Sequence, residues 1–265
     1  MITIHDELMR YKGNFKSNHK IRKCSDDVTK SEKKKRTENK LILCNPEIGN
    51  SIEIITGSVG CAVGVKALRY CFKSLLDNHT DSHFTGRLMK LVTGIYHMDH
   101  EGATGKKSIF FSKERYYLAT VVFHIRERKA EMLFNQFECS HITLRDKATL
   151  SLNEFRISHA FIPNGATHYR VLNHLSIISD YTYSEINQTF EPLSLLNTLN
   201  AMAFSKYFPA GVNITDEVVV SLPVSDELSD NVSVIQCVGV EYYIKSGLDN
   251  YILMRGGGVM VYEVF

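Results

Sequence analysis

The stretch that decides the fold is residues 232–265, which read VSVIQCVGVEYYIKSGLDNYILMRGGGVMVYEVF. Large apolar side chains recur here at every second position, with Gln236 interrupting the series: Val232, Val234, Val238, Val240, Tyr242 and Ile244. Such a period predicts a strand that buries one face. Residues 246–250 tolerate positive φ, so 238–244 and 251–255 are predicted to form a hairpin. Gly256 to Gly258 predict a break or bulge before a last strand at 259–265.

Working outward from this hairpin, several other runs have the composition of strands. The predicted strands are residues 51–56, 116–125, 149–157, 168–178 and 217–222. Residues 192–208 are predicted to hold one short helix. Short strands at irregular spacing with turn residues between them favour an antiparallel β-sandwich over a parallel α/β sheet.

Two helical patterns precede most of these strands. Apolar residues recur at helical spacing in 65–76 and again in 84–95, with a polar break at 77–81 between them. This arrangement predicts an αα-hairpin. Gly57, Gly60 and Gly64 come before the first pattern, but their spacing is not that of a dinucleotide fingerprint. We interpret them as small residues that let a helix pack closely.

The N-terminal region differs in composition from the rest of the chain. Residues 10–40 contain twelve Lys or Arg and four Asp or Glu, including the cluster Lys33, Lys34, Lys35 and Arg36. Few large apolar residues accompany this charge, which is typical of a solvated segment or of one that orders on a partner. The cluster is therefore the predicted partner-binding site, for nucleic acid or an acidic protein surface.

Composition bounds the class of protein. Apolar residues make up 44% of the 265 residues and charged residues 23%, as in ordinary folded domains. No stretch approaches the roughly 18 apolar residues that a membrane helix needs, and we predict no membrane span. Six scattered cysteines without a CxxC pair, and no signal peptide at the start, favour the cytoplasm or a particle assembled there.

These observations define the predicted fold class and domains. The fold is α+β and mainly β, with a basic N-terminal arm, an αα-hairpin and a C-terminal antiparallel β-sandwich. The domains are an extended basic arm at 1–48, a strand plus helical hairpin at 49–110, and a sandwich-like domain at 111–265.

Catalytic and metal signatures are weak in this sequence. It has no G-x-S-x-G motif and no carboxylate pair in an apolar setting, so no catalytic residue and no cofactor are predicted. The loop Gly102 to Ser108 fails the P-loop pattern in both glycine spacing and context. His97 and His100, three residues apart at a predicted helix end, are the only candidate metal ligands, and no third ligand is evident.

Part of the chain resembles a known family. The helix core Arg87-Leu88-Met89-Lys90-Leu91-Val92, the turn at 164–169 (NGATHY) and the closing hairpin carry this resemblance. Residues from about 61 to 265 thereby resemble a set of uncharacterised Bacteroidota proteins, in which a glycine-rich opening stands where this chain has its basic arm. The resemblance supports the predicted architecture and implies no activity.

Three functions remain open from the sequence. The favoured one is a non-catalytic structural subunit that assembles with its own copies into a filament, shell or phage-like particle. The alternatives are a nucleic-acid-binding protein that uses the basic arm, and a small-molecule enzyme or binder. The last would need a pocket with convergent polar groups between the helical hairpin and the strands.

Overall fold

The structure, a computed structural model, describes residues 46–124, 137–224 and 227–265, with the side chains of 46–52 left out. Residues 1–45 of the predicted arm, with Lys33, Lys34, Lys35 and Arg36, lie outside the described residues, and residues 46–48 belong to the first helix. Helices come first along the described chain and strands follow. The prediction of an α+β chain with mostly antiparallel strands is confirmed.

Within the described residues, four α-helices precede the strands. They are α1 (Pro46–Cys71), α2 (Lys73–His79), α3 (Phe84–Met98) and α4 (Arg115–Ala119). The strand predicted at 51–56 is wrong, because these residues lie inside α1. The β-branched residues there disfavour a helix by only about 0.7 kcal/mol each, which tertiary packing of a long helix overrides. Residues 115–119 are likewise helical, so the strand predicted at 116–125 is also wrong.

Helices α1 and α3 run antiparallel with their side chains in contact. A Cβ placed on Gly57 would lie 2.7 Å from the Tyr96 hydroxyl, and one on Gly64 would lie 2.9 Å from Val92. Farther along, Arg69 donates a hydrogen bond to Thr85. The glycines of α1 therefore allow close helix packing, as the sequence indicated.

One segment of the described chain, Glu53–Cys71 within α1, is long and apolar enough to cross a membrane by length and composition. It also packs on the protein itself, since a Cβ on Gly60 would meet the Phe190 ring at 2.6 Å. Leu68 and Cys71 from this segment are fully buried. These contacts are those of a core helix.

In the part of the chain that the structure describes, ten strands form three antiparallel sheets. The strands are β1 (Glu138–His141), β2 (Lys147–Phe155), β3 (His168–Ser179), β4 (Tyr181–Ser184), β5 (Thr189–Pro192), β6 (Asn200–Phe204), β7 (Phe208–Pro209), β8 (Ile214–Ser221), β9 (Val232–Lys245) and β10 (Tyr251–Val264). The largest sheet has the order β10-β9-β3-β6, with β7 also on β3; the others are β1-β2-β8 and β4-β5. The short helix predicted in 192–208 is wrong, because β6 lies there.

Strand β9 is the centre of the large sheet and is buried on both faces. Ile235 and Cys237 contact the helical core, whereas Val238 and Val240 lie in a cluster with Leu150 of β2 and other residues of the three-stranded sheet. The prediction of one buried face is therefore wrong. The helices cover the face that the alternation assigned to solvent.

The prediction that residues 238–244 and 251–255 form a hairpin is confirmed. Tyr251 pairs with Lys245 and Ile252 pairs with Ile244. The two strands predicted at 251–255 and 259–265 are one strand, β10, with a register shift between Met254 and Gly258. That shift is the bulge expected from the three glycines.

We predict opposite effects for two glycine substitutions in neighbouring helices. Gly60→Ala should lower the free energy of unfolding by about 1–3 kcal/mol, because the added methyl group overlaps the Phe190 ring. Gly86→Ala, in α3, should raise it by about 0.5–1 kcal/mol, since nothing lies within 4 Å of the new Cβ and the unfolded chain loses entropy. Urea unfolding of both variants measures this difference. Equal changes would contradict the placement of α1.

Candidate functional site

The candidate site lies where the end of α2 meets the β9–β10 hairpin. His79 is the last residue of α2, and its Nε2 is 3.1 Å from Oε1 of Glu241 on β9. Each side chain is only 4% exposed. A buried imidazole thus contacts a buried carboxylate across 162 residues of sequence.

The second oxygen of Glu241 receives two more donors. Arg170, its register partner on β3, donates through Nε at 2.7 Å, and Tyr243 donates its hydroxyl at 2.5 Å. Burial alone would raise the pKa of Glu241, but the hydrogen bonds from His79, Tyr243 and Arg170 outweigh it and lower the pKa to about 2. The carboxylate is therefore ionised at neutral pH, so Nε2 of His79 carries the shared proton.

Aromatic rings enclose the guanidinium of Arg170. Its central carbon lies 3.6 Å from the Phe204 ring centroid, 5.5 Å from that of Tyr207 and 5.2 Å from that of Tyr243. Tyr207 in turn stacks on Tyr251 at 3.9 Å. Cation–π attraction and the ion pair together hold the base of the hairpin against β3 and β6.

A cavity of about 310 Å³ opens beside this cluster. Its lining residues come from the end of α2 and from the hairpin: Asp77, Asn78, His79, Glu241, Leu253, Met254, Arg255 and Gly257. Within the described chain, Nδ1 of His79 is buried and has no hydrogen-bond partner. The cavity thus combines polar groups of both charges with the apolar side chain of Leu253.

Beyond the cavity, the end of the hairpin exposes apolar side chains. Ile244 and Ile252, opposite each other in register, are 37% and 51% exposed. Leu248 in the turn is 89% exposed. We call Ile244, Leu248 and Ile252 the apolar tip.

The residues predicted from sequence lie elsewhere. His97 is in the last turn of α3 and His100 follows the helix, both exposed. The described residues contain no group of three or more His, Cys, Asp or Glu able to hold a metal ion. Lys33 to Arg36 fall outside the described part of the chain, so the partner-binding prediction stays a prediction.

The loop at 102–108 is held by a carboxylate. Asp99 accepts hydrogen bonds from the backbone N–H groups of Glu101, Gly102 and Ser108. Burial opposes ionisation of Asp99, but these donors prevail and its pKa is lowered. This arrangement suits a structural loop, in keeping with rejection of a P-loop.

Sequence reasoning missed His79 and Glu241. No pair of carboxylates marks this site in the sequence, because the buried carboxylate pairs with a histidine and an arginine from distant segments. One signal was available, because Glu241 is the single charged residue within the apolar run 232–244. A charge in a buried strand calls for a partner.

Comparisons of the chain with protein-family models, with curated proteins and with solved structures found no match.

Acid should destabilise the protein in two steps. Burial, only partly offset by the Cys71 backbone, lowers the pKa of His174 from 6.5 to about 4. Between pH 6.5 and pH 4 the unfolded chain binds a proton at His174 that the folded chain does not. The contribution of His174 to the free energy of unfolding is therefore complete above pH 6.5, and about 3 kcal/mol of it is lost as the pH falls to 4. Glu241, whose pKa is lowered from 4.5, contributes stability that is lost as the pH falls from 4.5 to 2.

Urea unfolding of His174→Leu at pH 7.5 and 4.5 tests the first step. The loss of unfolding free energy between these pH values should be smaller in this variant than in the parent by about 2–3 kcal/mol. The exposed His97→Gln serves as the matched control and should keep the parent's pH dependence. Identical pH dependence in all three proteins would show that His174 titrates normally.

Proposed function

We propose that the chain is a non-catalytic structural subunit whose copies associate through the apolar tip. The observation that carries this proposal is the exposed cross-strand pair Ile244 and Ile252, with Leu248 beside it. Cross-strand neighbours on one face of a sheet lie about 5 Å apart, so these side chains present one apolar surface. Covering them would contribute roughly 25 cal/mol for each Å² removed from water.

The tip has a fixed position, which favours it as a contact surface. The Glu241 cluster clamps the base of the hairpin, and the backbone N–H of Lys245 donates to Thr167 at 2.8 Å. A surface that is already ordered loses little conformational entropy when a partner binds.

A second copy of this chain is the occupant that we propose for the tip. In a contact with two-fold symmetry, the apolar tip of one copy meets the same tip of the other, so apolar side chains are covered by apolar side chains. The edge of β10 that faces away from β9 also has backbone N–H and C=O groups that could pair with a strand of another copy. Among the described residues its only bridge is Val122 with Met260.

An extended filament or shell needs a second contact, because a two-fold contact alone closes into a dimer. Helix α1 provides a candidate surface, since Ile54, Ile55 and Val59 are at least half exposed. Two separate apolar surfaces on one subunit are what propagating assemblies require.

The chemistry of the buried cluster argues against acid–base catalysis there. A general acid or base works best with a pKa near the operating pH, whereas the pKa of Glu241 is about 2. Its two oxygens are already occupied by His79, Arg170 and Tyr243. We assign this carboxylate a structural role.

The proposal includes a β-sandwich, in which the large sheet and the three-stranded sheet pack face to face. Asn173 on β3 donates hydrogen bonds to the carbonyl groups of Ala148 on β2 and Val218 on β8. These bonds, with the apolar cluster that includes Leu152 and Val171, support two sheets packed face to face as one scaffold for assembly.

Self-association should depend on Ile252. Over a concentration series, the mass from sedimentation velocity should rise for the parent chain, because apolar tips meet. Ile252→Lys should remain monomeric, since two lysines would face each other across the contact. Leu195→Lys, at a site 104% exposed and away from the tip, is the matched control and should associate like the parent.

A parent chain that stays monomeric up to high micromolar concentration, at low and at physiological salt, would contradict the structural proposal. Equal association of Ile252→Lys and the parent would instead show that the contact lies elsewhere.

The basic arm is proposed as a further contact, with nucleic acid or an acidic protein surface. Neutralising Lys33, Lys34, Lys35 and Arg36 together to Gln should weaken binding to single-stranded DNA and flatten its salt dependence, because fewer counterions are released. Fluorescence anisotropy between 50 and 200 mM salt measures both effects. An unchanged salt slope would contradict a role for this cluster.

A second candidate function is small-molecule binding. The observation that favours it is the cavity of about 310 Å³ between α2 and the β9–β10 hairpin, which falls at the lower end of the size range of ligand pockets. The cavity lies between a helix and the strands and is lined by polar groups, as a small-molecule binder requires.

A further inference from the structure

We propose that the cavity between α2 and the β9–β10 hairpin binds a small zwitterion, an α-amino acid with an apolar side chain. This inference rests on the second candidate function and is independent of self-association. Four features of the lining residues support it: two separated charges, a buried imidazole, a reshaped strand and an apolar wall.

The first feature is a pair of opposite charges that do not neutralise each other. Asp77 and Arg255 both line the cavity and both are exposed. In the described parts of the chain neither one takes part in an ion pair. A ligand with an ammonium and a carboxylate group can satisfy both at once, with Arg255 binding the carboxylate in a two-pronged geometry.

The charge of Glu241 does not compete with Asp77 and Arg255 for the charged groups of the ligand. Glu241 lines the cavity, but Arg170 compensates its charge and three donors occupy its oxygens. Charge recognition therefore falls to Asp77 and Arg255. A ligand with a single charge would leave one of them unmatched.

The imidazole of His79 supplies a third polar contact. Nε2 donates to Glu241, and the other ring nitrogen, Nδ1, is buried and has no partner among the described residues. A buried polar atom without a partner costs about 1–3 kcal/mol. The ammonium group of the ligand, held by Asp77, is the donor that can remove this cost.

The bulge in β10 gives Arg255 its place at the cavity. Gly256 has φ +109°, and a Cβ on Gly257 would lie 2.4 Å from the Val240 carbonyl oxygen. Both positions therefore require glycine. Bulges redirect the side chains beside them and are common next to binding sites.

An apolar wall completes the site. Leu253 lines the same cavity, on the hairpin face that carries Glu241 and Tyr243. Its side chain suits that of leucine or methionine better than a polar one.

The test uses three probes: L-leucine carries both charges, N-acetyl-L-leucine only the carboxylate, and L-leucinamide only the ammonium group. We would titrate each probe, up to about 10 mM, into the full chain. Isothermal titration calorimetry then measures dissociation constants as weak as the millimolar range. We expect saturable binding of L-leucine and at least tenfold weaker binding of the two singly charged analogues. Amide NMR shifts should change at residues 77–79 and 253–257.

Two variants test which residues bind the charged groups of the ligand. Arg255→Gln should weaken L-leucine binding at least tenfold, and Asp77→Asn should do the same, whereas the exposed, remote Arg156→Gln serves as the matched control and should bind like the parent. Circular dichroism checks that all three are folded; Asp77 and Arg255 are exposed, so their loss should leave the fold intact.

The outcomes separate the inference from the binding function itself. Binding of N-acetyl-L-leucine or L-leucinamide as tight as that of L-leucine would overturn the zwitterion and leave a small-molecule site. Leucine binding that both variants retain would place that site elsewhere. No binding of any of the three probes would overturn the zwitterion inference and remove support for the binding function.

Discussion

The ionised carboxylate of Glu241, buried in the middle of the large sheet, is the interaction on which the rest of the structure depends. An isolated charge at this position would cost many kcal/mol. Three donors from three parts of the chain offset that cost: His79 from α2, Arg170 from β3 and Tyr243 from β9 itself. The charge thereby fixes where α2 meets the sheet, because an alternative docking of that helix would leave the carboxylate without one of its donors.

The same constraint shapes both faces of the closing hairpin. Strand alternation places Glu241, Tyr243 and Leu253 towards the helices, and Tyr242, Ile244 and Ile252 towards the opposite side. The cavity therefore borders one face of the hairpin and the apolar tip occupies the other. A lysine at Ile252 changes the proposed contact between copies without entering the cavity, so the two proposals can succeed or fail separately.

Prediction from the sequence worked best where one local rule governs one segment. The period of two in β9, the glycine-containing turn and the three glycines of β10 together predicted the hairpin and its bulge. Prediction was wrong where distant packing decided the outcome. Residues 51–56 have strand propensity, yet the close contacts of Gly57, Gly60 and Gly64 keep that segment helical.

The candidate site shows this limit most clearly. His79 and Glu241 are 162 residues apart, and no spacing rule joins them. The charge at Glu241 within an apolar strand indicates that a partner exists, but the sequence alone does not say which cation supplies it.

Assembly and ligand binding, although separable by mutation, would share the hairpin as a mechanical element. A ligand that contacts Leu253 and Arg255 would stiffen the strand that also carries Ile252, the residue proposed to meet the second copy. If stiffening favours that contact, the assembled form must bind the ligand more tightly by the same factor, because coupling between two binding equilibria is reciprocal. The Glu241 clamp limits how large this coupling can be. A hairpin base already held by an ion pair and an aromatic enclosure has little remaining motion for a ligand to remove, and little entropy to contribute. Beyond Tyr243 the hairpin no longer pairs with β3, so this part of it is where the coupling would act.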